Sequence, residues 1–135
     1  MPEPRLIDTD ILIDFFRSKP EAGRYLDSVP DWSYSVATAM ELYARAADKK
    51  QVREMETFLN AYDMIPLSED AGSRALDIIK TYAKADGMDP IDAILAATAM
   101  AGDLTLSTRN GKHFRNIKGL KLEIVKYPTG TGQSE

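Results

Sequence analysis

Apolar and polar positions divide the chain into short runs with two rhythms. Leu6-Ile7 is a brief apolar run that stops at Asp8, and Ile11-Leu12-Ile13 with Phe15-Phe16 resumes at once with helical spacing. This pattern predicts a buried strand that ends at Asp8 and turns directly into a helix over 11–17. Lys19-Pro20-Glu21 opens a second helix over 20–27, and Val29-Pro30-Asp31 reads as a turn. Trp32-Ser33-Tyr34-Ser35 alternates like a strand. Thr38-Ala39-Met40-Glu41 starts a helix rich in Ala, Leu and Met, and a charged amphipathic helix covers 49–61.

Met64-Ile65-Pro66-Leu67 predicts a short strand, confined to a sheet edge or an early end because proline cannot donate to a ladder. From Ser68 to residue 85, Ala71, Ala75, Ile78, Ile79 and Tyr82 keep a helical period, and Gly87 breaks it. Asp89-Pro90-Ile91-Asp92 then leads into 93–101, which is apolar on all sides and so belongs in the middle of the domain. Residues 104–107 and 122–125 predict the last strands, with a turn and helical stub at Asn110-Gly111-Lys112-His113-Phe114 between them. Residues 129–135, rich in Gly, Thr and Ser, predict a disordered tail. Strands separated by helices imply an α/β domain over 1–128, with a mostly parallel sheet, right-handed crossovers and helices on both faces.

Composition narrows the chemistry. The chain has 135 residues, 44% hydrophobic and 28% charged, which suits one globular domain. No apolar run approaches the roughly 18–20 residues of a membrane span, and the N-terminus lacks the basic and apolar regions of a secretory signal. There is no cysteine, which excludes disulfides and thiolate zinc sites and is compatible with a reducing cytoplasm. A formal net charge of −4 argues against a protein that coats nucleic acid by bulk basicity. It leaves open a phosphate enzyme whose acids hold a cation.

Four segments place a polar residue before a helix start: Asp8-Thr9-Asp10, Thr38-x-x-Glu41, Asp89-Pro90-Ile91-Asp92 and Thr108-Arg109-Asn110. Capping accounts for each alone. Asp8 or Thr9 can cap the first helix, and Thr38 with Glu41 forms a capping box. Asp89 caps a helix whose first residue is Pro90 and whose first turn carries Asp92. Asn110 suits the stub. Taken together they point further, because helix starts that follow parallel strands line one sheet edge. Asp8, Glu41 and Asp92 would then converge, and three carboxylates in one cleft need a proton or a cation between them. Oxygen ligands without Cys or His favour Mg²⁺ or Mn²⁺, and such an ion acidifies a water and clamps a phosphate under attack.

The same segments, extended to Leu6–Ile13, Ser35–Leu42, Asp92–Ala99 and Ser107–Phe114, resemble the successive signatures of PIN-domain proteins, most closely the VapC-type toxins of toxin–antitoxin pairs. The resemblance runs over nearly the whole chain, in order. It implies an α/β/α sandwich with four to five strands and a Mg²⁺- or Mn²⁺-dependent endoribonuclease acting on RNA, often as a homodimer. It also implies a VapB-like antitoxin that obstructs the cleft. By position it implies that Asp8, Glu41 and Asp92 bind metal, with Thr9 beside the first. Asp10 departs from the more usual Asn. The family often has a fourth acid in the stretch matched by Asn110 to His113, and none stands there. Asn110 can offer a carbonyl, and Asp89, one helical turn before Asp92, can supply the missing charge.

Other residues have two readings each. His113 is a general acid or a residue packed beside Phe114. Arg109 is the first candidate to hold the RNA backbone, with Lys112, Arg115 and Lys118 near it. Tyr25, Tyr43, Phe58, Tyr62 and Tyr82 are packing residues or a groove for an antitoxin helix. Asp8-Thr9-Asp10 also resembles the opening of haloacid-dehalogenase-type phosphatases, where the first acid is a nucleophile. The chain lacks the Gly-Thr that commonly follows and a clear late Asp-Asp motif. The remaining alternative is a degenerate PIN scaffold that binds RNA or a partner without cutting.

Overall fold

The computed structural model describes residues 3–128. The predicted tail at 129–135 lies outside them. The chain runs β1 (Arg5–Ile7), α1 (Thr9–Phe16), α2 (Pro20–Ser28), β2 (Trp32–Ser35), α3 (Val36–Arg45), α4 (Lys49–Leu59), β3 (Asp63–Ile65), α5 (Glu69–Asp86), α6 (Pro90–Ala101), β4 (Thr105–Thr108) and β5 (Lys121–Ile124). A 3₁₀ turn, Gly111–His113, joins β4 to β5. The five strands are all parallel, in the order β3-β2-β1-β4-β5. β3 is an edge strand and stops at Ile65, before Pro66, as the missing N–H requires.

Each strand alternates between two cores, which makes three layers. Leu6 and Leu106 face α5 and α6 on one side, where Ala93, Ala96, Ala97 and Ala99 let α6 pack closely. Ile7, Trp32 and Tyr34 face Ile11, Leu12, Leu42 and Leu59 on the other. Trp32 stacks on Tyr62 at 3.7 Å and Phe15 on Phe58 at 4.4 Å, so these aromatics pack the second layer. α6 has no exposed apolar stripe because nearly every turn is covered. No helix among the described residues is long and apolar enough to cross a membrane.

Three helix starts differ from the pattern prediction, the first being α1, where Asp8 stands at the cap position but makes no side-chain capping hydrogen bond. β2 runs into α3 without a loop, so the strand's last residue caps the helix: Ser35 Oγ accepts from Ala37 N–H at 3.0 Å. Thr38 therefore lies inside α3, buried, and is not a cap. Asn110 makes no capping hydrogen bond to the 3₁₀ turn. Gly87 ends α5 in the left-handed region at φ 68°, a conformation that costs a Cβ-bearing residue energy.

Candidate active site

The strand order reverses between β1 and β4, and the crevice outside the carboxyl ends of those strands is where open α/β sheets bind ligands. A recess of about 310 Å³ opens there, lined by Asp8, Thr9, Asp10, Glu41, Asp89, Asp92, Asn110 and His113 among others. Asp8 is the residue after β1. Glu41 lies one and a half turns into α3, one turn beyond Thr38 on the same face. Asp92 arrives by a different route, because α6 follows the helix α5 and not a strand. It reaches the recess because α6 runs back to the start of β4, leaving its first turn at the carboxyl edge.

Clamps hold the acids. Thr108, the last residue of β4, donates from Oγ1 to Asp8 Oδ2 at 2.5 Å and accepts from Asn110 N–H at 2.9 Å. The buried hydroxyls of Thr9 and Thr38 meet at 2.8 Å and tie α1 to α3. Asp89 and Asp92 form a reciprocal capping box: Asp89 Oδ1 accepts from Asp92 N–H at 2.9 Å, and Asp92 Oδ2 accepts from Asp89 N–H at 3.2 Å. Asp92 Oδ2 also meets His113 Nδ1 at 2.8 Å. The Asn110 amide nitrogen stands 3.2 and 3.3 Å from the two His113 ring nitrogens. His113 therefore belongs to the site, held against Asp92, and is not a bystander beside Phe114. Asp89 keeps its capping role while lining the recess.

The recess disfavours its own charge. Burial drives the Asp8 carboxyl well above the ordinary range, the Asp10 and Asp92 charges add to this, and the Thr108 hydrogen bond only partly opposes it. Burial pushes Asp10 up to about 6, against a hydrogen bond from Arg109 N–H, and its Oδ1 is buried without a partner. Asp92 is raised by burial and by neighbouring Asp89, in spite of hydrogen bonds from Asp89 N–H and His113. Glu41 is a rim residue, 33% exposed, 3.8 Å from Arg45.

Arg109 does not face the recess. Its guanidinium is buried, 3.7 Å above the Tyr127 ring and 3.7 Å from Asp14, whose Oδ2 also accepts from the Tyr127 hydroxyl at 2.6 Å. It pins the segment after β5 to α1, and the sequence-based expectation that it holds RNA is corrected by this burial.

The donor set suits a hard cation: under-neutralised carboxylates, an orphaned buried carboxylate oxygen and one imidazole at the margin. Among the described residues no three such groups already stand close enough to enclose an ion. Mg²⁺ needs only one or two carboxylates and otherwise keeps waters, so the recess fits it.

Fold and recess define a class: a doubly wound parallel domain with a carboxylate site at its switch point. The chain belongs to the PIN domain family, whose profile matches residues 5–120. It is similar to ribonuclease VapC1 of Methanocaldococcus jannaschii, 29% identical over 88% of this chain and 85% of that one. Ribonuclease VapC10 of Mycobacterium tuberculosis is 30% identical over 86% and 90%. Among solved structures, a chain of a toxin–antitoxin complex from Klebsiella pneumoniae superposes with a TM-score of 0.75 at 33% identity, covering 86% of this chain and 94% of that one.

Proposed function

We propose that this chain is an endoribonuclease dependent on Mg²⁺ or Mn²⁺, the toxin of a type II toxin–antitoxin pair, which hydrolyses RNA phosphodiester bonds. The observation that carries this is the convergence of Asp8, Glu41 and Asp92 on one recess where burial and mutual repulsion call for a cation. Similarity to proteins named as ribonucleases supplies the substrate class, and similarity to a chain of a toxin–antitoxin complex supplies the partner.

Asp8 and Asp92 would hold the cation, each with one oxygen already fixed by protein hydrogen bonds. A bound divalent cation supplies a more acidic water and neutralises charge on the attacked phosphate. Glu41, at the solvent rim, would take the proton of the attacking water. Thr108 keeps Asp8 in one orientation, and His113 with Asp89 N–H does the same for Asp92. The phosphotransfer alternative needs Asp10 to move a proton above an Asp8 adduct. Arg109 N–H holds Asp10 Oδ2 and Oδ1 is buried, which favours hydrolysis.

The test is RNA cleavage with Mn²⁺, with Mg²⁺, with EDTA, and by Asp8→Asn. Cleavage should require the cation and fall at least about 10²-fold in the variant. Cleavage that persists in EDTA and in Asp8→Asn overturns the mechanism. A protein that binds RNA but cuts none under any condition is a non-cutting scaffold.

A further inference from the structure

The acid recess poses an electrostatic difficulty for its proposed substrate. A phosphodiester must enter a site crowded with carboxylates on a chain of net charge −4. Binding energy from flanking parts of the strand has to offset that entry. The buried Arg109 cannot provide it.

A second hollow adjoins the first. It is an open groove of about 630 Å³ lined by Asn110, Gly111, Lys112, Arg115, Ile124 and Lys126. Asn110 lines both hollows, so the groove and the recess meet at that residue. No carboxylate lines it. Lys112, Arg115 and Lys126 are exposed, and among the described residues none of them pairs with an acid. Three unneutralised cations from two segments repel one another, a cost that an anion offsets. The floor is low because residue 111 is glycine: a Cβ there would stand 2.5 Å from Ile124 Cδ1.

We propose that this groove binds the phosphate backbone of single-stranded RNA next to the scissile bond, an inference that rests on the ribonuclease reading. Lys112, Arg115 and Lys126 take successive phosphates, and Asn110 marks where the strand passes into the acids. The open shape fits a polymer passing through, and a free phosphate would gain nothing from the neighbouring recess. Ile124, 36% exposed on the floor, offers an apolar contact that sequence-independent strand binding can use.

The test measures binding of a fluorescent single-stranded RNA by anisotropy across a salt series, in an Asp8→Asn background so that the probe survives. The triple variant Lys112→Gln, Arg115→Gln, Lys126→Gln should lower the log–log salt slope by about 2, at roughly 0.7 per phosphate lost. Its affinity should be about tenfold weaker at 50 mM salt and approach the parent at high salt. Lys50→Gln, on α4 towards the opposite sheet edge, should change neither. Because the three side chains are exposed, the thermal midpoint should hold; Arg115→Glu alone gives a second reading of the same direction. With cleavage intact in the wild-type chain, an unchanged slope and affinity overturn the groove alone. If the wild-type chain neither binds nor cuts RNA, the ribonuclease reading falls and the groove with it. Loss of binding to an acidic protein segment with RNA affinity untouched would make the groove a protein contact and overturn its assignment to RNA.

Discussion

Two neighbouring residues of β4 serve two acid clusters with opposite electrostatics. Ser107 Oγ donates to Glu123 at 2.8 Å, and the next residue, Thr108, donates to Asp8. Around Glu123 the demand for hydrogen bonds is met: Arg5 Nε at 3.0 Å, the Tyr25 hydroxyl at 2.6 Å and Ser107 converge on its Oε1. Burial alone would raise Glu123, but those donors outweigh it and hold the carboxyl below its usual range. Around Asp8 the balance is reversed. The Thr108 hydroxyl and the Thr9 backbone face burial and two further carboxylates, and the carboxyl is driven up. The first cluster joins α2, β1, β4 and β5 and is complete as it stands. The second is left short of positive charge, which marks it as the candidate binding site and the first as a brace.

The sharpest way to break this contrast is substitution to the neutral isostere on both sides. Asp8→Asn should abolish cleavage yet stabilise the metal-free protein at pH 7.5 by about 1 kcal/mol, because it removes a buried charge its surroundings oppose. Urea unfolding without metal checks it; a loss of stability would mean Asp8 is a structural anchor like Glu123.

The next effect is in pH. For Asp10, raised to about 6 by burial, the folded chain binds the proton more tightly than the unfolded chain. Unfolding free energy of the metal-free protein should therefore be greatest at acid pH near the ordinary carboxylate value. It should fall as pH rises towards about 6, and Asp8 acts in the same direction. The change is on the order of 2–3 kcal/mol for a group this buried. Mn²⁺ should restore the loss at pH 7.5 and add little at pH 5. A metal-free protein equally stable at both pH values would refute the strained recess. Glu123→Gln gives the opposite sign: a loss of about 1–2 kcal/mol at neutral pH, limited by the partial exposure of that carboxylate, with cleavage per folded molecule kept.

Which features were legible follows from how local they are. The strand ending at Asp8, the Asp89 cap with Pro90 behind it, the edge strand cut short by Pro66 and the all-round apolar α6 depend on neighbours a few residues away. Pattern reading found them and, with them, the parallel three-layer fold. Ser35 displaced Thr38 as a cap because a strand can pass into a helix without a loop, which spacing alone does not reveal. The nonlocal features were hidden. Arg109 reads as an RNA contact until Tyr127 and Asp14 close over it, and nothing beside Glu123 in the sequence marks it until Arg5 arrives from the opposite end of the chain. His113 kept two readings, general acid or packing residue, because its partner Asp92 is 21 residues away, on another element.

His113 gives the smallest of these effects and sharpens the contrast most, since among the described residues it is the only side chain that hydrogen-bonds the Asp92 carboxylate. Its ring stands where the family resemblance leads one to look for a fourth acid, so two roles compete: holding Asp92 in place, or filling space beside Phe114. In the first role His113→Ala frees Asp92 Oδ2 to turn on α6, and Mn²⁺ affinity by calorimetry should fall about tenfold, the lower end for loss of an outer-shell partner. His113→Gln keeps a donor and should recover much of that affinity. In the second role both substitutions would leave Mn²⁺ affinity alone and lower the thermal midpoint instead. Without His113 the Asp92 carboxylate would still take one hydrogen bond from its own helix cap, which is why the predicted loss of Mn²⁺ affinity is about tenfold and not complete.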